Sequence, residues 1–375
     1  MIKVHLIAAA RPNFMKVAPL YHVLRKEPWC QVSIVHTGQH YDSNMSEAFF
    51  RDLRLPAPEF HLEVGSGTHA QQTGGVMMAY EEVALRERPD WIVVVGDVNS
   101  TLACALVGAK LWIPVAHLEA GLRSGDRRMP EEINRLATDA ISDLLWTPSP
   151  DADENLCAEG ISPRRIERIG NVMIDSFELM RAAIESDRTR DAYGLGPRRY
   201  AVVTLHRPSN VDSREALVRV VHALVRASRH LPLVFPVHPR TRKKLLDFGL
   251  EADLLSSGAI TLTDPLGYVQ FMNLVMHAAV VVTDSGGVQE ETTYLGIPCL
   301  TLRENTERPI TLTQGTNRLI TTENLDTEVA RAVETITIAR RPDLWDGRAA
   351  VRAARSLRAH HEHATQRWRL KEASS

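Results

Sequence analysis

Short apolar runs alternate with stretches of helical spacing along almost the whole chain. Residues 2–9 form a strand-like run, and residues 12–25 carry apolar positions at helical spacing (Phe14, Val17, Ala18, Tyr21). Residues 31–36 read as the next strand. Thr68 is placed to cap a helix running to about Arg88, and residues 91–95 and 113–116 read as two more buried strands. A second series begins at Tyr200, with strands over 200–205, 233–237, 260–262, 280–283 and 299–302. Such alternation predicts right-handed strand–helix–strand units and parallel sheets covered on both faces. The fold class is α/β, with two Rossmann-like doubly wound domains facing a cleft lined by strand-end loops. The join is expected near residues 172–198, a span that runs into the charged Gly/Pro-bearing stretch 187–199. The expected domains are 1–172 and 173–343, followed by an Arg/Ala-rich helical tail, 344–375, bracing the two.

Composition narrows this picture. A chain of 375 residues exceeds one ordinary core, and 44% hydrophobic content excludes a disordered polymer. A net charge of -2 argues against nucleic acid or an anionic membrane as the main partner. No apolar run approaches the roughly 20 residues that span a bilayer. No basic-then-apolar leader precedes Ile2, so a cytoplasmic location is expected. Cys30, Cys104, Cys157 and Cys299 lie far apart without paired spacing, as expected of reduced core thiols.

The densest chemistry lies between Gly96 and Arg135. Two predicted strands lead to acids, Asp97 and Glu119, and the pair Glu131-Glu132 opens the next helical stretch. In an open parallel sheet, groups just past the carboxyl ends of neighbouring strands converge on one crevice. Carboxylates crowded there have their pKa values pushed apart, which suits proton transfer. The competing reading has these acids capping helices or pairing with Arg123 and Arg135. Three of them at strand ends or a helix start point to a site.

The stretch VVVTDSGGVQEETTYLG, residues 280–296, reads as strand, turn and helix. Gly286 and Gly287 allow close backbone approach, and the helix N-terminus after Ser285 offers N–H groups to an anion. Gln289, Glu290 and Glu291 follow within reach of hydroxyls on the same ligand, such as a ribose. The bland alternative is an Asp/Ser cap with glycines for packing. A G-x-G-x-x-G turn does not follow the first strand, so the main nicotinamide cue is missing. Arg11 and Lys16 flank the first helix start instead, a fork and a point charge for phosphate. No zinc-type spacing appears, and His360, His361 and His363 in the tail are expected on a solvated face. His206 and His238 end predicted strands, and Gln39-His40 follow another. Each histidine is a candidate acid, base or phosphate donor, or a hydrogen-bonded structural residue.

Taken together, ARPNFMKVAPL, HTGQHYD, GDVNST, HLEAGLRSGDRRMPEEINR, RIGNVMID, TLHRPSN, FPVHPR and TDSGGVQEE through ENTERPI resemble the non-hydrolysing UDP-N-acetylglucosamine 2-epimerases. The resemblance runs from about Arg11 to Arg318 and implies the two-domain glycosyltransferase B-type fold. It implies that Arg11, Lys16, Ser285, Gly286 and Gly287 hold the diphosphate and Glu291 the ribose. Phe271 and the backbone at Leu266 would flank the uracil, with Arg308 nearby. Asp97, Glu119, Glu131 and His206 would surround the sugar and carry the chemistry, supported by Arg135. The implied reaction removes the carbon 2 proton as UDP leaves carbon 1. It passes through a 2-acetamidoglucal and returns UDP after protonation from the opposite face. The resemblance implies a homodimer that needs neither metal nor nicotinamide cofactor.

Some bacterial members bind an activating second substrate molecule in the regions of Gln39, His40, Arg207 and His238, which makes these the candidate regulatory residues. The chain departs from the family there. Many relatives read His-Arg-Arg-Glu-Asn where this chain has His206-Arg207-Pro208-Ser209-Asn210, and the stretch between Gly125 and Glu131 is shorter than in the best-known bacterial members. The alternatives are an epimerase of another UDP-hexose, a hydrolysing epimerase, a glycosyltransferase of the same fold, or a nucleotide-sugar sensor.

Overall fold

The computed structural model describes residues 1–9, 11–38, 53–334 and 340–372. The chain divides into two compact units, Met1–Leu179 with Asp343–Ser375, and Met180–Pro342. The crossing at Leu179 lies inside the helix Val172–Ser186, whose first residue is where the sequence-based division falls.

The first unit holds a parallel sheet of seven strands: β1 Ile2–Ala8, β2 Cys30–His36, β3 Phe60–His61, β4 Trp91–Val95, β5 Val115–Leu118, β6 Leu144–Thr147 and β7 Ile166–Arg168, in the order β3-β2-β1-β4-β5-β6-β7. All five residues of β4 and all four of β5 and β6 are buried, as expected where helices cover both faces. Ile7, Tyr80, Val94 and Cys104 belong to one of its core clusters. The helix His69–Glu87 begins with a full capping box. The Gln71 N–H donates to Thr68 Oγ1 at 3.3 Å, and the Thr68 N–H donates to Gln71 Oε1 at 2.9 Å.

The predicted strand over 113–116 is corrected to Val115–Leu118. The Ile113 N–H is spent closing the preceding helix, donating to Gly108 O at 3.0 Å. Pro114 has no N–H and serves only as an acceptor, for Ile92. Strands β3, β6 and β7 were not anticipated. Two of them are fragments of two and three residues.

The second unit repeats the plan with six parallel strands: β8 Ala201–Thr204, β9 Leu233–Pro236, β10 Ile260–Thr263, β11 Val280–Thr283, β12 Cys299–Leu302 and β13 Asn317–Ile320, ordered β10-β9-β8-β11-β12-β13. Val203, Leu224, Phe235, Val282 and Leu300 pack in its core. In each sheet the connection direction reverses between the first and fourth strands, β1/β4 and β8/β11. Loops past the carboxyl ends of those strands are where such sheets bind ligands.

The tail belongs to the first unit. Asp175 caps the helix Ala349–Glu372, accepting from the N–H groups of Ala349 at 3.0 Å and Ala350 at 2.8 Å. Trp345 Nε1 donates to Pro148 O at 3.0 Å, and Trp146 Nε1 donates to Ser356 Oγ at 2.9 Å. His360 is not merely solvated, since its Nε2 lies 2.6 Å from Glu167 Oε1. Cys30, Cys104 and Cys299 are buried as expected, but Cys157 is exposed.

Candidate active site

In the first unit the loops after β4 and β5 and the helix after β1 meet at Gly96. That helix, Arg11–Leu24, starts at Arg11 and carries Lys16, which is buried and ion-paired with Glu119. Glu119 directly follows β5 with φ 75°, a left-handed backbone that non-glycine residues rarely adopt. Its N–H and that of Ala120 both donate to Trp146 O, at 3.1 and 3.0 Å, which holds the turn. Gly96 has φ 67°, and a Cβ there would lie 3.2 Å from Lys16 Nζ and 3.4 Å from Glu119 Oε2. Asn13 Nδ2 closes the corner by donating to Val95 O at 3.0 Å.

Asp97 is held by Arg135, whose Nη2 lies 2.5 Å from Asp97 Oδ2 while Nη1 lies 2.7 Å from Glu132 Oε2. Arg135 projects from the helix Pro130–Ile141, which starts with proline and two acids as a helix N-terminus favours. The two acids differ sharply: Glu131 is exposed and Glu132 is buried. Glu132 also accepts from the N–H groups of Ser124 at 3.0 Å and Gly125 at 2.9 Å. Burial alone would raise its pKa, but these bonds and Arg135 bring it below the ordinary carboxylate value.

A buried network underneath was missed in the sequence. His117 Nε2 is 2.8 Å from Gly96 O, and its Nδ1 is 2.6 Å from Asp139 Oδ1. Asp139 in turn accepts from the Gly121 N–H at 3.1 Å and pairs with Arg123 at 2.7 Å. Arg123 is thus committed to Asp139 and Glu159 rather than to the acid cluster. The signal was a histidine inside an otherwise apolar strand, Val-Ala-His-Leu.

In the second unit the corresponding loops converge on Asp284, which is fully buried. It accepts from the His206 N–H at 3.0 Å, the Arg207 N–H at 2.9 Å and Asn210 Nδ2 at 3.0 Å. Its Oδ1 is also 3.1 Å from His206 Nδ1. Burial pushes its pKa up, but the bonds and charge from His206 and the bonds from Asn210 and Arg207 win and lower it. Strand β8 stops at Thr204, so His206 lies beyond the strand rather than ending it. Likewise β9 stops at Pro236, two residues before His238. The rings of His206 and His238 are 5.2 Å apart, and the Arg240 N–H donates to His238 Nδ1 at 3.2 Å.

Ser285 precedes the helix Gly286–Leu295, and its N–H donates to Thr283 Oγ1 at 2.9 Å. A Cβ on Gly286 would lie 2.6 Å from Arg308 Nη1, so a side chain there would have to displace that guanidinium. Arg308 pairs with Glu290 at 2.9 Å and Glu307 at 2.8 Å. Burial opposes ionisation of Glu307, but the charges of Arg308 and Arg303 hold its carboxyl far below the usual range. The expected reach of all three residues 289–291 toward a ligand is corrected. Gln289 is committed to Thr306 at 2.7 Å and Asn317 at 2.9 Å, and Glu290 to Arg308. Glu291 accepts from the Tyr268 hydroxyl at 2.6 Å, and burial, reinforced by Glu290, raises its pKa to about 7. Tyr268 opens the helix Tyr268–Met276, which carries Phe271. Phe271 and Leu266, just before that helix, are half-buried. Gln39 and His40 lie outside the described residues.

Two doubly wound parallel sheets with these switch-point loops define an α/β protein of the glycosyltransferase B type. Residues 22–358 match the UDP-N-acetylglucosamine 2-epimerase family, and the chain belongs to it. A UDP-N-acetylglucosamine 2-epimerase of Methanocaldococcus jannaschii is 43% identical over 326 residues, covering 85% of this chain and 88% of the relative. A UDP-2,3-diacetamido-2,3-dideoxy-D-glucuronate 2-epimerase of Pseudomonas aeruginosa is 41% identical over 323 residues, covering 85% and 88%. The crystal structure of the M. jannaschii UDP-GlcNAc 2-epimerase in complex with UDP-GlcNAc and UDP superposes with a TM-score of 0.87 at 40% identity, covering 96% of this chain and 100% of that one. Among the described residues, no helix is long and apolar enough to cross a membrane.

Proposed function

We propose that this chain inverts carbon 2 of UDP-N-acetylglucosamine, giving UDP-N-acetylmannosamine by elimination and re-addition of UDP. Membership of the family makes it an isomerase. The observation that carries the reading is the charged cluster past β4 and β5, where Lys16 meets Glu119 and Arg135 holds Asp97. Inversion needs two proton-handling groups, one for each face of the sugar, and such a cluster supplies them. Asp97, Glu119, Glu131 and His206 carry the proton transfers, with Arg135 fixing Asp97. One group takes the carbon 2 proton while the carbon 1–oxygen bond to UDP breaks, leaving a 2-acetamidoglucal. A second group protonates carbon 2 from the other face as UDP returns to carbon 1.

Arg11, Lys16 and the Ser285-Gly286-Gly287 turn neutralise the departing diphosphate, which is electrostatic work at the leaving group. Glu291 accepts from the ribose hydroxyls, Leu266 and Phe271 flank the uracil, and Arg308 supports the turn through Glu290. Residues 1–172 carry the sugar chemistry and 173–343 the nucleotide, followed by the tail 344–375. Gln39, His40, Arg207 and His238 are the candidates for a second, regulatory substrate molecule. The chain acts as a homodimer in the cytoplasm, with a UDP-sugar as its ligand.

A proton NMR time course in heavy water tests this. Deuterium should enter carbon 2 of UDP-N-acetylglucosamine and a manno product should appear. Retention of all protium without product overturns the reading. The same time course is run on a small panel of UDP-hexoses that includes UDP-2,3-diacetamido-2,3-dideoxy-D-glucuronate because of the P. aeruginosa relative. Steady release of free UDP would instead indicate a hydrolysing enzyme, and turnover only with an added acceptor a transferase.

A further inference from the structure

We propose that Asp284 is a positioning residue that fixes the His206 ring with its proton on Nδ1, so that Nε2 is the nitrogen that exchanges protons with the substrate. The inference rests on the reading above that His206 takes part in the proton transfers. Strands β8 and β11 are paired in parallel with Thr204 beside Thr283, so the residues that follow them lie abreast at the switch point. The Asp284 carboxylate is sealed from solvent and receives two backbone N–H groups and the Asn210 amide. Those donors fix where its oxygens point. Its Oδ1 then sits 3.1 Å from His206 Nδ1. An ionised carboxylate accepts only, so the nitrogen facing it must carry the hydrogen. Against the effect of burial, that carboxylate is held ionised first by its bond to and the charge of His206, then by the bonds from Asn210 and Arg207.

The consequence for the ring is specific. With Nδ1 protonated, the neutral imidazole offers its lone pair at Nε2, and 38% of the His206 side chain remains exposed. When Nε2 takes a proton the ring becomes an imidazolium, Nδ1 keeps its hydrogen, and Asp284 stays ionised opposite the new charge. When that proton is released to solvent, Nε2 recovers its lone pair and the dyad is restored. A buried acid beside a working histidine orients and stabilises it in this way in hydrolytic triads. His238 has the opposite arrangement. Its Nδ1 accepts the Arg240 N–H at 3.2 Å, so its neutral ring carries the hydrogen on Nε2. Two rings 5.2 Å apart are thereby set in opposite tautomers by different partners.

The test uses the full chain labelled with 15N-histidine, with His206 assigned by difference from His206→Gln. Long-range proton–nitrogen spectra should show a protonated Nδ1 and an unprotonated Nε2 for His206. A neutral ring protonated on Nε2 in the wild type overturns the proposal, whatever the variants do. In Asp284→Asn the tautomer should shift and kcat should fall roughly 100-fold or more, with Kd for UDP and KM within about threefold. Asn210→Ala removes another donor to the same carboxylate and should keep the tautomer, with kcat within about fivefold. Equal losses in the two variants, or an Asp284→Asn enzyme with normal kcat, overturn the proposal. The tautomer is read without turnover. An Nδ1-protonated ring in a chain that performs no epimerisation would therefore leave the Asp284 assignment standing and remove the functional reading.

Discussion

The Tyr268 hydroxyl donates a 2.6 Å hydrogen bond to Glu291, a carboxyl that is 4% exposed and 23 residues further along the chain. Burial and the neighbouring Glu290 raise the Glu291 pKa to about 7, while the Tyr268 bond works in the other direction.

A carboxyl raised from 4.5 to about 7 leaves stability intact below pH 4.5 and removes it progressively as pH rises to 7, where the buried group must ionise. The full loss is on the order of 3 kcal/mol above pH 8. Glu291→Gln keeps an acceptor for Tyr268 without that loss. Urea denaturation should find it equal to wild type near pH 4 and more stable by up to about 3 kcal/mol at pH 8. Tyr268→Phe removes the lowering bond, so in the same urea titrations the loss of stability should extend to higher pH than in the wild type.

Glu131 and Glu132 separate chemistry from stability. Glu132→Gln weakens a buried pair with Arg135 and two backbone bonds, and should cost about 3 kcal/mol in denaturant titrations. Glu131→Gln changes an exposed side chain and should stay within about 0.5 kcal/mol of wild type while losing most turnover. Full activity in Glu131→Gln would remove that residue from the catalytic group.

Gly96→Ala places a Cβ on a backbone at φ 67° and 3.2 Å from Lys16 Nζ. The left-handed conformation alone costs roughly 1–2 kcal/mol with a side chain. The added crowding displaces the Lys16–Glu119 pair, so turnover should fall more steeply than the melting temperature. A variant with normal kcat would show that this pair has no part in the reaction.

Gly286→Ala tests the other switch point without backbone strain, since the residue is helical. Its Cβ would meet Arg308 Nη1 at 2.6 Å and push the guanidinium off Glu290 and Glu307. UDP binding should weaken about tenfold, roughly 1.4 kcal/mol, by calorimetry. Unchanged affinity would exclude Arg308 from supporting the nucleotide turn.

Much of this architecture was legible in the sequence, for identifiable reasons. Strands β4, β11 and β12 are legible in the sequence at their observed bounds because strands buried on both faces are predominantly apolar. The Thr68 cap was visible because its hydrogen bonds close within three residues. The fifth strand was misplaced by two residues because Ile113 is as apolar as its neighbours, and only the hydrogen bond to Gly108 assigns it to the helix end.

The amino-acid order by itself determined most of the strands, the Thr68 cap, and that acids and a Ser-Gly-Gly turn follow strand ends. Those properties depend on neighbours within a few positions. Only the tertiary structure decided that Glu132 is buried while Glu131 is exposed, that His117 braces Gly96 through Asp139, and that Asp284 faces the His206 ring. Each of those pairings joins residues on different strands or helices. Whether such groups meet is set by sheet register and helix rotation, which local periodicity does not encode.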